Sequence, residues 1–220
     1  MSEKAFGING FTLKCIAMIC MLIDHTGAVL FPQYLELRMV GRLAFPIYCF
    51  LLVEGAMHTT DIRKYERRLF LFALISEVPF DLAFYGGTSW VHQNVFFTLF
   101  FGVLAIDLAQ RIKNKLSVII IFFLIIIAAE LLHTDYSGAG IVFILCYYLL
   151  YEKKILKQLM FVLENYFLYQ GGVQLYASFA ALPMLLYNGK KGPSMKYLFY
   201  VFYPGHLLIL YLIVRFKILY

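Results

Sequence analysis

Charge is scarce in this sequence: Asp, Glu, Lys and Arg make up 15% of the 220 residues, against ~25% in soluble domains. The scarcity argues against a water-soluble fold, because 62% of the chain is hydrophobic and a small protein leaves much of its surface exposed. Cysteine is also sparse. Cys15, Cys20, Cys49 and Cys146 lie in or beside apolar runs without metal-like or disulfide-like spacing, so they read as small buried hydrophobes and no metal is expected. No small-residue cleavage site follows the first apolar run, which is as long as a membrane span, so no cleavable signal is expected. Internal repeats are absent as well, which weakens an inverted-repeat transporter.

What remains is apolar length, with a mean hydropathy of +0.78. A spanning helix needs roughly 20 mostly apolar residues. The expected fold is all-α, a polytopic membrane helix bundle of about nine spans (eight to ten) with short loops. Residues 1–220 then form a single membrane domain with no room for a soluble one. The expected spans are 11–31, 40–58, 69–85, 92–110, 117–133, 138–151, 156–170, 173–187 and 197–216.

The net charge of +6 does not point to nucleic acid, because the bases sit in short clusters between apolar runs. Arg63, Lys64, Arg67 and Arg68 fill the second loop, and Arg111, Lys113 and Lys115 the fourth. Lys153, Lys154 and Lys157 surround the sixth, and Lys190, Lys191 and Lys196 the eighth. The loops after spans three, five and seven carry no Lys or Arg; only Arg38 and Arg42 fall near the first. The positive-inside rule therefore places the even loops and the N-terminus, with Lys4 and Lys14, on the cytoplasmic side. Arg215 and Lys217, at the outer end, are a mild exception.

An ionisable group inside a span is a functional candidate by default, because burying it in lipid is costly. Asp24 and His25 lie some two-thirds of the way across the first span. Adjacent helical residues diverge by about 100°, so Asp24 does not orient His25 directly, and Arg38 or Arg42 on the next hairpin is its nearer partner. Pairing makes such burial tolerable and leaves His25 free as an acid or base near neutral pH. The alternative is a structural Asp–Arg bridge beside a hydrogen-bonding core histidine.

Lys14 stands 11 residues before His25, on the same helix face and roughly 16 Å away along the axis. A phosphate-bearing cofactor with a long arm, such as coenzyme A, matches that layout: Lys14 holds phosphate and His25 meets the thioester. In the plainer reading Lys14 only snorkels to lipid headgroups. His206, in Tyr203-Pro204-Gly205-His206, either satisfies backbone groups freed by the proline and glycine or is a second catalytic or binding group. Glu54 and His58 lie near the basic Arg63–Arg68 loop, which is an anion site or simply positive-inside charge. Glu130 and His133 have the spacing of a helical pair, and Asn94 joins the intramembrane polar residues.

Several blocks carry a family resemblance. Leu13-Lys14-Cys15-Ile16-Ala17, then Met21-Leu22-Ile23-Asp24-His25-Thr26-Gly27, resembles the opening of TraX-like membrane proteins. Gly41-Arg42-Leu43-Ala44-Phe45-Pro46-Ile47-Tyr48, Ala73-Leu74-Ile75-Ser76-Glu77-Val78-Pro79-Phe80, Asn94-Val95-Phe96-Phe97-Thr98-Leu99 and Tyr203-Pro204-Gly205-His206-Leu207-Leu208 follow in the family order. The family is named for the F-plasmid pilin acetylase, which acetylates the N-terminal amine of pilin. The resemblance implies a multi-pass acyltransferase of the bacterial cytoplasmic membrane that uses acetyl-CoA from the cytoplasm. Its acceptor would be a peptide N-terminus, a glycan or a lipid headgroup on the outer side.

The Lys14…His25 spacing is also similar to the Arg-x10-His motif of the acyltransferase-3 family, with lysine losing the bidentate geometry of arginine. On this reading His25 is the general base, Asp24 and Arg42 position it, and Lys14, Arg67 and Arg68 meet the phosphates. Glu54, His58, Asn94 and His206 form a possible additional site, with Asn94 or His206 donating to the oxyanion. The alternative from another class is a small-solute or proton-coupled transporter; a third is a non-catalytic assembly factor.

Overall fold

The computed structural model describes residues 7–216; Lys4 and Lys217 lie outside them. Ten α-helices and one 3-10 helix follow in order: α1 (Gly10–Val29), α2 (Leu35–Gly41), α3 (Ala44–His58), α4 (Ile62–Tyr85), α5 (Val95–Arg111), α6 (Lys115–Leu131), α7 (Ser137–Leu149), α8 (Lys154–Tyr169), the 3-10 helix Val173–Ala180 running into α9 (Ala181–Leu185), and α10 (Lys196–Arg215). Among the described residues there is no β-strand beyond two isolated bridges, Ile8 with Tyr187 and Gln93 with Thr134. The chain is all-helical, as the apolar runs imply.

Side-chain caps set four helix starts. Asn9 accepts from the Thr12 N–H at 2.9 Å, Asp61 from Lys64 N–H at 2.8 Å, Asn94 from Phe96 N–H at 3.1 Å, and Asn114 from Leu116 N–H at 2.9 Å. Each satisfies a backbone donor that the first helical turn leaves open. The Asp61 cap explains one departure from expectation: Arg63, Lys64, Arg67 and Arg68 are not in a loop but on the first turns of α4. A second departure is α2, which converts most of the expected first loop into helix.

Among the described residues, three segments are long and apolar enough to cross a membrane: Gly10–Val29, Leu35–His58 across the α2–α3 join, and Tyr197–Arg215. The other expected spans are helical but shorter or more charged. The 13 residues of α7 rise only about 20 Å, less than a hydrocarbon core of ~30 Å. The segment 173–187 breaks into a 3-10 helix and a five-residue α-helix.

The core gathers around α1, α3, α5 and α7, where Leu13, Ile47, Val103, Phe143, Ile144 and Tyr147 are fully buried. By contrast α6 packs mainly on α5 and α7 and, among its residues, buries Ile125 and Ala129. Its Leu116, Ile119, Phe123, Leu124 and Leu131 stand exposed. A helix apolar all round is suited to lipid. For the site, the arrangement that matters is α1 held between α2 and α3 on one side and α10 on the other.

Candidate functional site

The site starts from one buried carboxylate. Asp24 on α1 accepts from Arg38 Nη1 at 2.7 Å and from Arg42 Nη2, while Arg42 Nε reaches its other oxygen at 3.2 Å. Arg38 Nη1 also donates to the Asp24 backbone carbonyl at 3.1 Å. Both arginines named as alternative partners are therefore engaged. Gly41 makes this possible: a Cβ there would lie 2.2 Å from the Asp24 Cβ, so only glycine lets α2 press against the acid. One acid facing two guanidiniums leaves a surplus positive charge. Asp135, in the loop between α6 and α7, faces the same arginines. Burial pushes its carboxyl up to about 6, with Arg42 opposing the shift. The neighbouring Tyr136 ring lies 5.8 Å from the Arg42 guanidinium and stacks on Phe45.

His25 points elsewhere, as helical geometry requires. Its Nδ1 lies 2.6 Å from His206 Nε2 on α10, and the two rings are parallel within 1°. His206 Nδ1 is 2.7 Å from the Phe202 carbonyl oxygen. A carbonyl only accepts, so His206 Nδ1 carries the proton and, in the neutral ring, its Nε2 is an acceptor. His25 must then donate from Nδ1, which leaves its Nε2 with a free lone pair. A chain of two hydrogen bonds thus fixes His25 in the tautomer of a general base. Phe84 and Tyr203 contact its ring edge-on at 5.5 and 5.8 Å.

Two cavities meet at this point. The first, of about 390 Å³, is lined by Asp24, His25, Arg38, Arg42, Asp135 and Tyr136 among others. The second, of about 650 Å³, lies toward the N-terminal end of α1 and is lined by Lys14, Lys64, Arg68 and Lys191 together with Glu54 and His58. Met21, Tyr48, Val95 and Tyr203 belong to both walls. Helix α1 runs past both cavities, with Lys14 in one, His25 in the other and Met21 between them.

The remaining expected residues divide. Lys14 lies 5.7 Å from the Phe199 ring centre and Arg68 5.4 Å from that of Tyr65, both in the basic cavity. Arg67 is exposed outside it, with Nε at 3.4 Å from the Arg63 carbonyl. Glu54 is approached by the Tyr151 hydroxyl at 3.3 Å and Lys157 Nζ at 3.9 Å, and His58 Nδ1 donates to the Glu54 carbonyl at 2.9 Å.

Asn94 is fully buried and engaged on all sides. Its amide donates to the Ala73 carbonyl at 2.8 Å and to Glu77, and its oxygen caps α5. Neither Asn94 nor His206 is therefore free to donate to an oxyanion: His206 is committed as the acceptor for His25. Glu130 does not pair with His133 but accepts from Gly138 N–H at 3.0 Å, while His133 turns to His92. The sequence reading missed Asp135, Lys64, Lys191 and Gly41 as site residues. The only available signal for Gly41 was its place one residue before Arg42 in a block shared with the family.

Comparison with known proteins places the chain in a family. The sequence model of the family described as TraX protein matches residues 9–214. A curated relative, "Probable fimbrial assembly protein FimC, serogroup H1" of Dichelobacter nodosus, is 32% identical across 94% of this chain and 96% of its own. "Uncharacterized protein RP591" of Rickettsia prowazekii (strain Madrid E) is 28% identical across 41% of this chain and 33% of its own. No solved structure matches. With nearly its whole length matched and its polar blocks drawn together around α1, the chain belongs to the TraX family.

Proposed function

We propose that the chain is a membrane-embedded acyltransferase that moves an acetyl group from acetyl-CoA to an amine or hydroxyl on the opposite side of the membrane. The observation that carries this reading is the pair of cavities sharing one wall, with four basic side chains in one and a pre-set histidine base in the other. Family membership and the fimbrial assembly name of a relative support a role in modifying or assembling a surface appendage. A pilin-like peptide is then the leading acceptor, with glycan and lipid hydroxyls behind it.

In this reading the N-terminus is cytoplasmic, the chain crosses the bacterial cytoplasmic membrane several times, and the basic cavity opens inward. Lys14, Lys64, Arg68 and Lys191 make no ion pair with an acid among the described residues, so their charge is available to the phosphates of coenzyme A. The thioester extends along α1 to the shared wall, and the acceptor enters the other cavity.

The acceptor lone pair attacks the carbonyl carbon as His25 Nε2 takes its proton. The C–S bond then breaks, and the thiolate leaves with the bonding electrons and receives that proton. His206, accepting from Nδ1–H, stabilises the imidazolium between the two steps. Asp24, Arg38 and Arg42 act one layer back, by locking α1 against α2.

His25→Ala should abolish transfer of label from radiolabelled acetyl-CoA, a loss of about 10²–10⁴-fold, while the protein still inserts. Near-normal transfer by that variant would overturn the assignment. Solute flux through sealed vesicles containing the chain, without acetyl-CoA consumption, would establish a transporter instead.

A further inference from the structure

The acyl-transfer reading lacks one component: a donor for the negative oxygen that forms when the thioester carbonyl is attacked. Such a donor stabilises charge present only at the transition state, and it works best where water is excluded. Resting on the reading above, we propose that the Tyr203 hydroxyl is that donor.

Four observations converge on it. Tyr203 lies in the wall common to the basic cavity and the histidine cavity, where the thioester must cross to meet His25. Its ring packs edge-on against both His25 and His206, at 5.8 Å between centres in each case. The residue is only 3% exposed, yet its hydroxyl makes no well-formed hydrogen bond. A buried hydroxyl left this way costs stability, so its retention calls for a use.

The fourth observation concerns Val95. Its backbone N–H interacts with the Tyr203 oxygen, and it is the first residue of α5. An N–H at that position has no partner within the helix. Asn94 caps α5 through the Phe96 N–H instead, so the Val95 N–H is left for the phenol oxygen. The Tyr203 hydroxyl thus stands at the positive end of α5, with no acceptor for its proton among the described residues.

In the step itself, the nucleophile bonds to the carbonyl carbon and the π electrons move to oxygen, which accepts from Tyr203 O–H. Tyr203 keeps its proton throughout, and the hydrogen bond weakens as the carbonyl re-forms and the thiolate departs. Tyr48 is the second tyrosine in the shared wall, but no ring contact ties it to His25 among the described residues, so its loss should cost less than that of Tyr203.

The full-length chain in proteoliposomes, given radiolabelled acetyl-CoA and an envelope extract of the source cells as acceptor, tests the assignment. Tyr203→Phe should lower kcat about 10²-fold with KM for acetyl-CoA changed less than about twofold, the pattern of a contact made only in the transition state. Tyr166→Phe, on the exposed face of α8 and outside both cavities, should stay close to wild type. If Tyr203→Phe fails to fold, 3-fluorotyrosine at position 203 keeps the shape while making the phenol more acidic. It should alter kcat and lower the alkaline limb of its pH profile. Retention of most kcat by Tyr203→Phe, a fluorotyrosine protein with unchanged rate and profile, or the larger loss falling on Tyr48→Phe would each overturn the role of Tyr203. Absence of any transfer by the wild-type chain would overturn the acyltransferase reading itself, a result separable from those three.

Discussion

The two cavities beside α1 handle charge in opposite ways. In the one containing His25, Asp24 is saturated by two arginines, and three of the four ring nitrogens of His25 and His206 have an assigned partner. In the other, Lys14, Lys64, Arg68 and Lys191 line an open volume and form no ion pair among the described residues, although Glu54 and Asp61 share the wall. A paired buried charge fixes geometry, because removing either member strands the other at a cost of several kcal/mol. An unpaired cation at a cavity wall fixes little and is available to an incoming anion. The contrast suggests that one cavity is built to hold atoms still and the other to exchange a ligand.

That contrast can be broken from either side. After the loss of activity expected for His25→Ala, the largest effect should come from Asp24→Ala, which leaves two guanidiniums facing each other. A loss of about 3–5 kcal/mol is expected, read as a lower thermal midpoint in detergent. Arg38→Ala should cost less, since Arg42 still holds the acid; equal midpoints for Asp24→Ala and wild type would dissolve the comparison.

The histidine chain should give a more selective effect. Truncating His206 to alanine removes the acceptor for His25 Nδ1–H and should cut kcat by about 10²-fold, the lower end of what a general base supplies. His206→Gln retains both an acceptor and a donor and should restore part of that loss. A packing role alone would leave the two variants equally impaired.

The smallest change belongs to the basic cavity. Lys14→Ala should raise KM for acetyl-CoA about fivefold, near 1 kcal/mol, and leave kcat unaltered as uniform binding requires. A kcat defect without a KM change would place Lys14 with the fixed groups instead.

Most of the helical architecture was legible from apolar run lengths, because each run needs a helix to satisfy its backbone away from water. The Asp24–Arg42 pair was legible too: a buried acid needs a nearby base, and hairpin neighbours are the closest source. His25–His206 was not, since nothing in the pattern links positions 181 residues apart. The α2 helix was hidden for a different reason. Residues 35–41 are short and mixed in polarity, and they become helical by packing on α1 through Gly41. Asn94 looked like a free donor only because a capping role and a catalytic one require the same residue type.

The separation of the two histidines has a consequence for how the protein is made. Asp24 meets its arginines 14 and 18 residues downstream, so that lock can close while most of the chain is still on the ribosome. The acceptor that sets the His25 tautomer lies 181 residues downstream, on α10, so its docking comes much later than that of the arginines. An interrupted chain would hold a well-anchored first hairpin and an untuned histidine. The proposed chemistry therefore switches on only once α10 has docked against α1.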